Sequence, residues 1–108
     1  NGCNYCLTTH SDYPRGITGD PAWVDQLTYN YRAAKLTEKQ RALCDYAYFV
    51  TTRPREITAE QADKLRAVGF NDHEILEAAF VAGFFNYTNR WVSTIEPVAN
   101  PGHYSHNR

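Results

Sequence analysis

The chain opens NGCNYCLTTH, with Cys3 and Cys6 three residues apart and His10 four beyond the second cysteine. A thiolate is both a nucleophile and a metal ligand, and histidine is the side chain best suited to exchange a proton near neutral pH. These residues could form a redox dithiol with its base, part of a metal site, or two ordinary buried thiols. Residues three apart on a helix share a face, with Cβ atoms about 5–6 Å apart. A disulfide needs about 3.5–4.5 Å, so a small backbone adjustment closes the bond. At a helix start, free amide groups and the macrodipole favour a thiolate, an argument for Cys3 as the activated sulfur. His10 lies one turn after Cys6 and can take its proton, which is an argument for Cys6. The spacing leaves that order open. A structural zinc site needs four ligands. Cys3, Cys6 and His10 supply three, Asp12 is a strained fourth, and no second CxxC completes the set. The redox reading is therefore preferred, and it requires no bound metal, haem or flavin.

Other reactive residues have plainer readings. Cys44 lies in RALCDYAYFV, an apolar helical stretch where a buried, inert thiol is expected. His73 falls in a capping turn, His103 and His106 in the tail, and Glu96 at a helix end with a surface role. A second polar group stands in FFNYTNRW, residues 84–91. Asn86, Asn89 and Arg90 share one face of an otherwise apolar helix. They form either a solvated helix end or a buried network that lines a pocket or fixes a subunit interface, and such a network must be hydrogen-bonded.

The elements that position these groups are helical. A helix is expected over about residues 3–12, broken by Pro14, Gly16 and Gly19. Asp20-Pro21 reads as an N-cap followed by proline at the first helical position, opening PAWVDQLTYNYR with Trp23, Leu27 and Tyr31 inward. Thr37–Gln40, Thr58–Gln61 and Asn71–Glu74 are capping boxes. The first opens a helix with Leu43, Ala47 and Val50 along one stripe. The second opens a short helix with Ala62, Leu65 and Val68, ended by a left-handed Gly69. The third opens the longest helix, to about Ile95, apolar on more than one side through Ile75, Leu76, Ala79, Phe80, Val81, Phe84 and Phe85. Such a helix is expected between layers or between subunits. Gly83 within it weakens the helix by about 1 kcal/mol relative to alanine, which a close helix approach would justify. The tail EPVANPGHYSHNR reads as extended and weakly ordered. The class is all-α, with about five helices and no internal repeat.

With 108 residues, 43% of them apolar and 14% aromatic, the chain suits one small domain whose core partner subunits could extend. A net charge of −1 with both signs interspersed gives no reason to expect nucleic acid or an anionic membrane as partner. The most apolar run, AAFVAGFF, is far too short to span a bilayer. No signal peptide is visible, and a start at Asn1 without methionine implies that the natural N-terminus lies upstream. Three cysteines, two of them local to each other, do not make a secreted disulfide scaffold, so a cytoplasmic protein is expected.

CNYCLTTH resembles the CxxCxxxH motif of the alkylhydroperoxidase D-like branch of the carboxymuconolactone decarboxylase superfamily. The stretch from LTEKQRALCDYAYFV to GFFNYTNRW is similar to the C-terminal part of its peroxidase-related members, so the likeness covers most of residues 1–96. The resemblance implies an all-helical oligomeric fold and a thiol peroxidase-like activity on a hydroperoxide, with a dithiol or protein reductant. It implies that Cys6 attacks peroxide, Cys3 resolves and His10 is the base, in relay with a glutamate upstream of Asn1. Residues 1–96 would then be a domain lacking its N-terminal helices, followed by the tail 97–108. The chain departs from the best-known relatives at Tyr5, where they carry histidine. Two rivals are a non-enzymatic helical assembly module with sensing or structural thiols, and a lactone decarboxylase, which would not need the cysteines.

Overall fold

The computed structural model describes residues 1–108 and contains six α-helices and no strand. They are α1 (Asn4–Thr18), α2 (Pro21–Asn30), α3 (Glu38–Thr52), α4 (Ala59–Ala67), α5 (Asp72–Ile95) and α6 (Pro101–Ser105). No helix is long and apolar enough to cross a membrane. The chain forms two compact units, one of Asn1–Lys35 with Thr88–Arg108, the other of Leu36–Tyr87.

In the first unit α1 packs against α2 and α6. The expected break at Pro14 does not occur: α1 continues to Thr18 and ends at Gly19, whose N–H donates to the Arg15 carbonyl at 3.0 Å. Proline removes one intrahelical hydrogen bond, but tertiary anchoring just beyond it outweighs that loss. Arg15 is only 2% exposed. Its Nη2 donates to the His103 carbonyl at 2.6 Å and its Nε to the His106 carbonyl at 3.1 Å. Gly16 leaves room beside it, since a Cβ there would meet the Asn107 amide nitrogen at 3.0 Å. The tail expectation is corrected accordingly. Residues 101–105 are helical, and both His103 and His106 lie against Asp12 of α1.

α2 starts as expected, with Asp20 accepting from the Trp23 N–H at 2.9 Å. Its buried residue is Val24, while Trp23 and Leu27 are only half-buried. The Trp23 indole N–H donates to the Lys35 carbonyl at 2.8 Å. Tyr31 leaves the α-helix for a 3-10 turn over Tyr31–Ala33.

In the second unit α3 packs on α4. All three capping boxes form as the sequence implies. Thr37 and Gln40 exchange bonds of 2.9 and 3.1 Å, and Asn71 and Glu74 exchange two of 2.9 Å. In the Thr58 box the Gln61 side chain accepts from the Thr58 N–H at 2.7 Å. Leu65 is fully buried and Gly69 is left-handed at φ 98°. The expectation of a covered long helix is not met within this unit. Ile75 is buried, but Phe80 is 69% and Phe84 60% exposed, with Leu76 and Val81 also largely open.

Asp12 joins α1 to the tail electrostatically. Its carboxylate meets His106 Nδ1 at 2.9 Å and accepts from Asn107 at 3.0 Å. The His106 hydrogen bond, together with that residue's charge and the bonds from Asn107 and His103, holds the Asp12 carboxyl below its ordinary range against the opposing effect of burial. A carboxyl lowered in the folded state contributes stability above its unfolded pKa of about 3.9 and loses it as pH falls through the lower folded value. Asp12→Asn should therefore be less stable than the parent near pH 6, with the gap in melting temperature closing below about pH 4. Thermal melts across that range test this, and a gap that persists undiminished at pH 2 would refute it.

Candidate functional site: a closed cysteine pair at a helix start

Cys3 is the N-cap of α1 rather than part of its first turn. Its backbone is extended, at φ −77° and ψ 100°, and its Sγ accepts from the Cys6 N–H at 3.3 Å. Leaving the helical conformation at residue 3 is the adjustment that brings the sulfurs together. Cys3 and Cys6 form a disulfide, with Cα atoms 5.3 Å apart. The two sulfurs differ in setting. Cys3 is 5% exposed, whereas Cys6 is half-buried. A thiolate released at Cys3 sits against a free helix-start amide, where the macrodipole stabilises it. Cys6 lies one turn before His10 on the same helix, and His10 is exposed.

Tyr5 is half-buried between the cysteines. With Gly2, Cys3 and Asn4 it lines one side of a cleft of about 290 Å³, and Val92, Ser93, Glu96 and Pro97 line the other. Asn89 supports this arrangement, because its Oδ1 accepts from the Asn1 amide at 3.1 Å. Of the expected site residues, Cys3, Tyr5, Cys6 and His10 thus stand together on the first turns of α1, and Asn89 is tied to the segment that leads into them. Asn86 belongs to the other unit, where it donates to Thr51 Oγ1 at 3.0 Å. Arg90 is exposed. The polar face of Asn86 and Asn89 therefore serves separate partners. Glu96, Ser93 and Pro97 were not expected at the cleft. They lie about 90 residues from Cys3, and only the helix stop at Glu96-Pro97 was visible in the sequence. No three His, Cys, Asp or Glu side chains are grouped as metal ligands.

No protein-family model matches the chain, and no curated protein matches it. Solved structures are similar, among them two crystal structures. A peroxidase-related protein from Silicibacter sp. TM1040 shares 39% identity at a TM-score of 0.95, over 98% of this chain and 56% of that one. An alkylhydroperoxidase AhpD core, a peroxidase-related protein from Ralstonia eutropha JMP134, shares 30% identity at a TM-score of 0.93, with the same coverage of 98% and 56%. Both are described as uncharacterised. The chain belongs to the alkylhydroperoxidase D-like superfamily. It spans about half the length of these solved relatives.

Cys44 is chemically distinct from the pair. Burial pushes its thiol pKa up, as does the nearby Asp45 charge, against a smaller opposing effect of Arg41. After reduction, alkylation at pH 8 should therefore reach Cys6 before Cys44. Time-resolved peptide mass spectrometry measures the order, and earlier labelling of Cys44 would contradict this account.

Proposed function

We infer that the chain carries the redox site of a thiol-dependent, hydroperoxidase-like oxidoreductase. In this reading His10 takes the proton of Cys6, and the Cys6 thiolate attacks the terminal oxygen of a hydroperoxide. The O–O bond breaks, the alcohol leaves with a proton, and Cys6 becomes a sulfenic acid. The Cys3 sulfur then attacks the Cys6 sulfur, and the hydroxyl leaves as water. An external dithiol reduces the resulting disulfide and is itself oxidised. The observation that carries the reading is the closed Cys3–Cys6 pair at the start of α1 with His10 one turn on. The peroxidase-related neighbours support it. The resemblance gives Cys6 the peroxidatic role, and its greater exposure supports that order. The relay glutamate that the resemblance implies would lie upstream of Asn1. The assembly-module reading leaves the thiols without turnover, and the decarboxylase reading leaves them dispensable.

The test treats the reduced protein with one equivalent of an alkyl hydroperoxide. A prompt loss of two hydrogens mapped to Cys3 and Cys6, reversed by a dithiol, is expected. His10→Gln should slow peroxide consumption by about a hundredfold, the lower end of general acid–base contributions. Cys6→Ser should abolish it. Thiols that stay reduced would sink the proposal.

The same reading makes the protein a homo-oligomer, as the resemblance implies. The open apolar face of Leu76, Phe80 and Phe84 supports it, since large exposed apolar patches mark interaction sites. Sedimentation should give more than a monomer, and Phe80→Glu combined with Phe84→Glu should give a folded monomer. A monomeric parent protein would overturn this part.

A further inference from the structure

Glu96 is placed where local physics argues against a glutamate. It follows the last residue of α5 and has φ 45°. That is the left-handed cap position that glycine, or sometimes asparagine, normally fills. It is also the negative end of the helix dipole, where a carboxylate is disfavoured. No ion pair or hydrogen bond within the protein offsets either disadvantage. The carboxylate belongs to the wall of the cleft that Cys3 and Tyr5 line from the other side. The remaining lining is uncharged: Gly2, Asn4, Val92, Ser93 and Pro97 contribute apolar and neutral polar surface. Among these lining residues Glu96 is the one that carries a fixed charge, and it is negative.

We propose that this cleft is a subsite for the body of the reducing thiol, and that Glu96 makes it select cationic or neutral thiols over anionic ones. The proposal rests on the redox reading of the Cys3–Cys6 pair. In the exchange, one thiol sulfur bonds to a cysteine sulfur, the S–S bond breaks, and the electron pair leaves on the other cysteine. A second thiol attacks the reductant's sulfur in the mixed disulfide and frees the first cysteine. Two thiols are consumed, one small disulfide is made, and two protein thiols form. Glu96 makes none of these bonds and is a specificity determinant. It acts on the charge carried by the rest of the reductant, as a focused surface charge acts on an approaching ion.

The oxidised protein would be reduced with 2-mercaptoethylamine, 2-mercaptoethanol and 3-mercaptopropionate at low ionic strength, and second-order rates compared between parent and Glu96→Gln. Comparing proteins thiol by thiol cancels the intrinsic reactivity of each reagent. The ratio of amine to carboxylate rates should fall about fivefold in the variant, as expected for a unit charge a few ångströms away in a wet cleft. The parent's ratio should fall to the variant's near 1 M salt, where the Debye length is about 3 Å. Glu96→Gly, which suits the left-handed backbone, should lose the ratio as Gln does, separating charge from conformation. An unchanged ratio, or equal scaling of all three rates, overturns the proposal and leaves the redox reading standing. A disulfide that none of the thiols reduces overturns both.

Discussion

The first unit depends on burying one guanidinium. Arg15 is almost inaccessible, yet its charge faces two backbone carbonyls and the Asp12 carboxylate, 3.9 Å away. A buried charge without partners costs several kcal/mol, and removing one partner of a buried pair destabilises strongly. Hydrogen bonds to a charged group contribute about 1.5–3 kcal/mol each. The residues after Ala99 include few apolar side chains able to dock a segment by themselves. Their order therefore comes from supplying carbonyls to Arg15 and imidazoles to Asp12. In return they hold α1 through Pro14, where its own backbone is weakest. Arg108 extends the attachment to α2 through paired contacts with Asp25 at 2.7 and 3.1 Å.

What could be read in the sequence follows from how far apart the cooperating residues lie. Each capping box is complete within four residues, so Thr37–Gln40, Thr58–Gln61 and Asn71–Glu74 announce their helices without reference to the rest of the chain. Asp20-Pro21 does the same. Pro14 misleads because its local effect is real but smaller than an anchor supplied some 90 residues later. The tail misleads for the complementary reason: PGHYSHNR has no strong propensity, and its partners are in α1. On α2 the apolar spacing gave Trp23 and Leu27, but the Trp23 indole N–H donates to the Lys35 carbonyl, and Val24 takes the buried position. The exposed face of α5 is a different case. Its composition states correctly that the helix needs cover, and composition cannot state what provides it.

The cysteine pair combines two devices that the sequence set in competition. The N-cap geometry places an amide against the Cys3 sulfur, and helical phase places His10 one turn after Cys6. In the proposed reaction these would act on different sulfurs and at different stages. In that reading, a histidine one turn after the more exposed Cys6 suits the sulfur that would meet an external oxidant. In the same reading, the amide that donates to the buried Cys3 suits the sulfur that would carry charge transiently. Cys44 provides the contrast within the same chain, since desolvation and a neighbouring aspartate disfavour its thiolate. The three thiols thus differ in their position relative to helix starts and neighbouring charges as well as in burial.

The two ends of α1 use one helix dipole in opposite senses. At the N-terminus its positive end faces the Cys3 sulfur, where the proposed reaction would develop negative charge. In the last turn its negative end faces Arg15, the cation that anchors the tail. Each charge sits at the end that favours it, so the anchoring and the chemistry reinforce the same helix without sharing side chains. Twelve residue steps along the helix take Cys3 to Arg15, about 18 Å at 1.5 Å per residue. Energetic effects at sites so far apart and without shared partners add nearly independently. The tail can therefore loosen without changing the amide, the imidazole or the spacing that govern the sulfurs, provided α1 itself stays helical. Pro14 is the point at which that condition is most exposed, and the anchoring residues Asp12 and Arg15 stand on either side of it.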